Sequence, residues 1–261
     1  MKYLLSDEGR ARLAELTKRP ALYAFDFDGT LARIVRERQA ARLAPDVRRW
    51  LSALGRLVPT AVVSGRSLAD LRLRVGEEIP YLIGNHGMEA PDTAPEVRLH
   101  AIQVCQGWKQ QLEGEAASQL SDVGVQVEDK GFSLTFHYRL SAQKPRARSL
   151  LFQWVARLTP SPRLVLGKAV VNAVPPGMPH KGSALESLID RAEVEQALYV
   201  GDDDTDEDVF TLPDTRILSV RVGIKQTSHA HYYLRSQAEM TTLLQELVVT
   251  LESAGSHQNV G

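Results

Sequence analysis

The 261 residues carry 31 lysines and arginines against 32 aspartates and glutamates, a net charge of −1. That balance argues against a nucleic-acid-binding protein, which concentrates basic charge. A single cysteine, Cys105, excludes an internal disulfide framework and a multi-cysteine zinc site. The length fits one large domain or two modest ones at roughly 150 residues each, and a hydrophobic content of 43% suffices for a real core. No apolar run approaches the ~20 residues that span a bilayer. The opening MKYLLSDEGRARLAEL is broken by Asp7, Glu8 and Arg10, unlike a signal peptide, so a cytoplasmic location is expected.

Residues 6–18 predict a helix with acids at its start. ALYAFDF (21–27), mostly apolar, reads as a strand buried on both faces. Residues 45–57 open with proline and space Val47, Trp50, Leu51 and Leu54 as a helix does. TAVVSG (60–65) predicts a second buried strand, 67–75 a helix, and YLIGNHG (81–87) a strand running into a turn. This alternation predicts an α/β parallel sheet. The pattern changes after Glu89. Residues 90–96 read as a linker, and about 99–120 as one long polar helix. Residues 123–129 and 132–139 alternate apolar and polar around Lys130-Gly131, as a hairpin with one wet face does. A helix over 143–158 and strands over 163–168 and 169–174 complete an αββαββ insert. Residues 183–192 predict a helix, 197–210 a strand running into an acidic loop, 216–223 a strand and 240–254 a terminal amphipathic helix, with a frayed tail over 256–261.

Four segments carry chemistry. Asp26-Phe27-Asp28-Gly29-Thr30 sets two carboxylates just beyond a buried strand, where ligands of open parallel sheets bind. Two acids there raise each other's pKa unless positive charge arrives. A divalent ion with a phosphate is one answer, and Mg²⁺ commonly takes one or two carboxylates plus substrate phosphate. Gly201 to Asp208 (GDDDTDED) packs six acids into eight residues after another buried strand. Part of this run suits a helix N-terminus, while Asp202 suits a metal; the loop lacks the glycine and glutamate of an EF-hand. Ser64-Gly65-Arg66 offers a hydroxyl and amides at a helix start, a place that suits phosphate. Lys181-Gly182 puts a point charge before another helix. The scattered His180, His229 and His231 fit surface positions better than a zinc site, and Cys105 fits helix packing.

In that order, DxDGT, SGR, KG and GDDxTDED form the motif set of the haloacid dehalogenase superfamily of phosphotransferases. With Gly84-Asn85-His86-Gly87-Met88-Glu89, and with Val127 to Gly131 leading into His137-Tyr138-Arg139, the chain resembles trehalose-6-phosphate phosphatases from about residue 20 to 250. The resemblance implies a Rossmann-like core with a helix-flanked parallel sheet (1–97 and 177–261) and an inserted α+β cap of C2 type (98–176). It implies Mg²⁺-dependent hydrolysis of trehalose 6-phosphate to trehalose and phosphate. Asp26 would be the nucleophile that becomes an aspartyl phosphate, and Asp28 the general acid and then base. Asp26, Asp202 and the backbone carbonyl of Asp28 would hold the metal, supported by Asp203 and Asp206. Ser64 and Lys181 would hold phosphate. Gly65, with Arg66 and His86 on the core rim, would contact substrate, and Glu128, Lys130 and His137 would contact the sugar. Asn172, also implied as a substrate contact, stands where the family has glutamate, and Val174 where it has arginine. A phosphatase of another glycosyl phosphate, such as glucosylglycerol phosphate, and a non-catalytic phospho-sugar sensor therefore stay open. The implied partner is a small sugar phosphate bound by a monomer, with no nucleic acid and no membrane.

Overall fold

The predicted alternation of strand and helix starts one strand early. A computed structural model describes residues 1–35, 37–167 and 169–258. Its first element is a short strand, β1 (Lys2–Tyr3), too brief to leave a pattern in the sequence. Helix α1 (Asp7–Leu16) follows, with Ser6 accepting a hydrogen bond from the Gly9 amide as its N-cap. Then come β2 (Ala21–Phe25), α2 (Pro45–Leu57), β3 (Thr60–Val63), α3 (Leu68–Val75) and β4 (Tyr81–Ile83). Pro45 starts α2 at a position where a missing N–H costs nothing.

The chain divides into two compact units, one of residues 1–90 and 180–261, the other of residues 91–179. The expected boundaries, after residues 97 and 176, differ from these by several residues. The reason at the first boundary is local: the segment read as a linker already starts a helix at Pro95.

The smaller unit holds α4 (Pro95–Gln111), α5 (Glu115–Asp122), β5 (Gln126–Asp129), β6 (Leu134–His137), α6 (Lys144–Val155), β7 (Arg163–Gly167) and β8 (Val170–Val174). The single long helix expected over 99–120 is therefore two helices. Gly114 separates them with φ +67°, a left-handed backbone that glycine adopts without penalty and that a continuous helix excludes. Lys168, expected to end a strand, lies outside the described residues. The four strands form an antiparallel sheet in the order β5-β6-β8-β7. Trp108, Leu120, Leu134, Phe136, Leu151 and Val171 bury one face of it against the helices.

The larger unit continues with α7 (Lys181–Arg191), β9 (Gln196–Gly201), α8 (Glu207–Phe210), β10 (Ile217–Val222), β11 (Tyr232–Leu234) and α9 (Met240–Gln258). Strand β11 was not legible, and α9 runs past the expected end at 254; residues 259–261 lie outside the described residues. The sheet is parallel throughout, in the order β1-β11-β10-β9-β2-β3-β4. Strand β2 is apolar at every position because each face of the sheet has its own core. Tyr23 and Phe25 of β2 pack with α1, α2 and α9 residues such as Leu51 and Leu244. Leu22 and Ala24 point the other way, toward Leu185 and Leu188 of α7. Among the described residues, no helix is long and apolar enough to cross a membrane.

Cys105 lies in the core of the smaller unit, 1% exposed. Burial, with a contribution from Asp129, pushes its thiol up to about 12. The thiolate is the reactive form. An aromatic disulfide reagent at mildly alkaline pH should therefore label the native protein far more slowly than the urea-unfolded chain, as followed by absorbance. Equal rates would place Cys105 outside that core.

Candidate active site

Strand order fixes where the charges gather. From β2 the chain moves to β3 and β4 on one side, while β9, β10 and β11 lie on the other. Neighbouring strands β2 and β9 thus flank a topological switch point, and the crevice at their C-terminal ends is where open α/β sheets bind ligands. Asp26 follows the last residue of β2, and its amide still donates to Val200 of β9 at 2.8 Å. Asp202 follows the last residue of β9, and Ser64 follows β3.

Lys181 reaches the same place from the start of α7. His180 caps that helix, its Nδ1 accepting from the amides of Gly182 and Ser183 at 3.2 and 3.3 Å. This is the ring's local role, and a zinc ligand is not needed to explain it. Gly182 lets the helix start press against the acidic loop, because a Cβ there would stand 2.2 Å from the Asp208 carbonyl. The Lys181 ammonium donates to Asp26 at 2.7 Å and to Asp206 at 2.8 Å. Lys181 and Asp206 are almost fully buried, and Asp26 is 5% exposed.

Asp206 is fully committed. One oxygen also accepts the Tyr199 hydroxyl at 2.7 Å, and the other accepts the Asp203 amide at 2.9 Å. The Asp203 side chain caps the short 3₁₀ turn that follows, accepting from the Asp204 amide at 2.8 Å. Burial pushes the Asp26 carboxyl well above the usual carboxylate range; Lys181 draws it down, and Asp206 and Asp202 push it up again. Burial opposes the charge on Lys181, yet Asp206 and Asp26 hold its pKa well above the usual lysine value. One ammonium thus faces a surplus of carboxylates.

Oxygens of Asp26, Asp202 and Asp206 lie within 4.8 Å of one another. The donors are all carboxylate oxygens, the set that hard divalent cations prefer. Asp202 also sits in a cradle over Gly29, where a Cβ would stand 2.1 Å from its Oδ2. These residues fit a divalent metal. Asp206, expected in support of the metal ligands, lies in the cluster beside Asp26 and Asp202. The Asp28 carboxylate is held by Arg66, whose Nε and Nη2 each donate to an Asp28 oxygen at 2.6 Å.

Arg66 was expected on the rim. It is instead 2% exposed, its third nitrogen donating to Asp70 at 2.7 Å. Ser64 is buried, and its hydroxyl accepts from the Arg66 amide at 3.2 Å. Gly65 lies between them with the His86 ring packed against it. The turn carrying His86 is stapled to this loop, His86 N donating to Ser64 O and Asn85 N to Arg66 O. Glu89 braces both, accepting from the Leu68 amide and the Asn85 side chain.

In the smaller unit, Glu128, Thr135, His137 and Asn172 share the sheet face opposite the helices, as cross-strand pairing requires. His137 Nε2 lies 2.8 Å from Glu128, and Lys130 sits half-buried in the hairpin turn. Asn172, which stands where the family has glutamate, is 7% exposed; its oxygen accepts from Thr135 at 2.7 Å, and its amide donates to the Val165 carbonyl at 3.4 Å. Glu89 was read as part of its motif but given no role, and Tyr199, Asp70 and Arg74 were missed. For Tyr199 no signal existed, since a tyrosine inside an apolar strand reads as core. For Arg66, Asp70 and Arg74 the signal was their spacing of four.

Two predictions test this geometry. Lys181→Met strands two buried carboxylates and should cost about 3–5 kcal/mol in urea unfolding; a loss of about 1 kcal/mol or less would show that a proton replaces the ammonium. Asp70 is the second case. Against partial burial, Arg74 and Arg66 hold its carboxyl down at about 2, below the ordinary 3.8. A depressed carboxylate stabilises the fold above its unfolded pKa and loses that contribution as pH falls through the folded one. Asp70→Asn should therefore flatten the acid-unfolding curve between 3.8 and about 2. An unchanged curve would refute the pairing.

Comparison with known proteins agrees with this layout. The family described as trehalose-phosphatase matches residues 24–240. A trehalose-phosphate phosphatase of Mycobacterium ulcerans (strain Agy99) is 32% identical over 252 residues, covering 91% of this chain and 63% of its own length. An uncharacterized glycosyl hydrolase of Mycobacterium tuberculosis (strain ATCC 25618 / H37Rv) is 34% identical over 264 residues, 93% of this chain but 19% of that protein. The chain thus spans less than two thirds of the length of these relatives. The Aspergillus fumigatus trehalose-6-phosphate phosphatase structure (crystal form 2) superposes with a TM-score of 0.60 at 26% identity, covering 95% of this chain and all of that one. The C-terminal domain of the Candida albicans trehalose-6-phosphate phosphatase shares the fold, with a TM-score of 0.70 at 21% identity over 92% of this chain and 96% of that one. With the motifs at the strand ends and the match extending over most of its length, the chain belongs to the trehalose-phosphatase family.

Proposed function

We propose that this chain hydrolyses trehalose 6-phosphate to trehalose and phosphate through an aspartyl phosphate. The observation that carries the reading is Asp26, a buried carboxylate at the switch point, 2.7 Å from Lys181 and clustered with Asp202 and Asp206. A carboxylate nucleophile splits one difficult displacement into two easier ones. An Asp26 oxygen forms a bond to phosphorus while the bond from phosphorus to the sugar oxygen breaks. The electron pair leaves on the sugar oxygen, and Asp28 supplies its proton. In the second half Asp28 takes a proton from water, the water oxygen bonds to phosphorus, and Asp26 departs as carboxylate. Lys181 offsets the negative charge gathered at Asp26, and Ser64 with the amides of its loop holds phosphate oxygens. Asp26 and Asp202, with the Asp28 carbonyl, would hold Mg²⁺, which when bound supplies positive charge to the phosphate oxygens.

The second reading keeps the chemistry and changes the sugar. It is favoured by Asn172, an uncharged residue bonded to Thr135 and Val165 of its own sheet, and by Val174, which is 2% exposed and carries no polar group. A non-catalytic sensor has less support, because Asp26, Asp28, Lys181 and Asp202 are all present.

The test is phosphate release from a panel of sugar phosphates, with and without Mg²⁺. Trehalose 6-phosphate should show the highest kcat/KM, and Asp26→Asn should abolish turnover. Preference for another glycosyl phosphate selects the second reading. Absence of metal-dependent turnover of any ester overturns both.

A further inference from the structure

One buried cation sorts the acidic run that follows β9. Arg221 lies near the C-terminal end of β10, in register with Gly201, the last residue of β9. Val220 and Val222 on either side of it belong to one core. Strand alternation therefore turns Arg221 to the other face, where α7 and α8 pack. It is 7% exposed. Its Nη1 donates to the Asp203 carbonyl at 3.1 Å and to Glu207 at 3.3 Å, and Nη2 lies 4.0 Å from Asp204. The other Glu207 oxygen accepts the His229 amide at 3.0 Å, and Asp204 also pairs with Lys225. Asp204 and Glu207 are thus held by groups outside the cluster of Asp26, Asp202 and Asp206. The backbone of Asp203 is clamped from two sides. Its amide donates to Asp206 at 2.9 Å, while its carbonyl accepts from the Asp206 amide at 3.2 Å and from Arg221. Asp202 is the residue just before this clamp.

We propose that Arg221 is a positioning residue for the metal site, setting the direction of Asp202 through the Asp203 carbonyl. The inference rests on the reading that Asp26 and Asp202 hold a divalent cation. A guanidinium carries several N–H donors in one rigid plane, so it holds a carbonyl and a carboxylate together as a mobile ammonium does not.

Charge and positioning have opposite signs here. A positive group beside a cation site repels the ion, so by charge alone the loss of Arg221 tightens metal binding. A partner that orients a ligand from behind strengthens binding, typically by about 10–100-fold. The direction of the change therefore tells the two apart. A residue that merely supports the fold changes neither.

The experiment titrates the chelator-treated full chain with Mn²⁺ alone, free ion being read from its electron paramagnetic resonance signal. Mn²⁺ suits the same oxygen ligands as Mg²⁺. Arg221→Met, Lys225→Met and Asp202→Asn are compared with wild type, each shown to be folded by near-ultraviolet circular dichroism. Arg221→Met should bind Mn²⁺ about ten-fold more weakly. Lys225→Met removes a positive charge that pairs with the same acidic run but makes no bond to its backbone. It should bind within about three-fold of wild type, or more tightly. Should Arg221→Met fail to fold, Arg221→Met/Glu207→Gln removes one charge of each sign and carries the same expectation. Tighter binding by Arg221→Met, a loss below about three-fold, or an equal loss in Lys225→Met overturns the inference. So does a lower Tm at unchanged Mn²⁺ affinity. Asp202→Asn separates the two claims. If it binds Mn²⁺ as wild type does, or if wild type binds none, the metal reading falls and the inference with it. If it loses the ion and Arg221→Met does not, only the inference falls.

Discussion

One buried ammonium holds the larger unit's polar centre together. Lys181 lies between Asp26 and Asp206, out of water, in a place where an unpaired charge would be untenable. Three separate stretches of chain must deliver these groups: the end of β2, the start of α7 and the turn after β9. The features around them serve that convergence. His180 caps the helix that carries the lysine, Gly182 lets its first turn approach the acidic loop, and Gly29 admits Asp202. The account does not balance with protein atoms alone. Three carboxylates and one ammonium leave negative charge over, and such a surplus in a low-dielectric crevice favours binding of a cation.

The second arrangement is balanced. Two arginines and two carboxylates alternate from Asp28 to Arg74 and end on backbone carbonyls of residues 39 and 41. The two carboxylates of the DxD motif, two residues apart in sequence, thus have opposite surroundings. Asp26 is crowded by other acids, while Asp28 is held by an arginine. Neighbouring carboxylates whose environments differ in this way are suited to different parts of one reaction.

Much of this was legible in the sequence because β2, β3 and β9 each close on an apolar run, so the polar residues that follow them stand out. Asp26, Ser64 and Asp202 were found that way. What was not legible had no local contrast. β1 and β11 have two and three residues and acquire their structure only by pairing with each other and with β10. Tyr199 is apolar in all but one atom, and that atom matters only because Asp206 lies beside it. Gly114 breaks a helix whose polar face continues on either side, so composition gave no boundary. Asn172 drew notice because it stands where the family has glutamate; only the paired strand revealed Thr135 as its partner.

The pairing of β2 with β9 sets the order in which the molecule can assemble. Ala21 aligns with Gln196, and Phe25 with Val200, so the central seam of the large sheet joins early chain to late chain. Closing so long a loop is slow, and contacts of this kind delay folding relative to local ones. During synthesis the segment 91–179, whose strands pair only among themselves, is complete before β9 leaves the ribosome. Until then β2 has half of its hydrogen-bonding edge exposed, with Asp26 at its end and no lysine beside it.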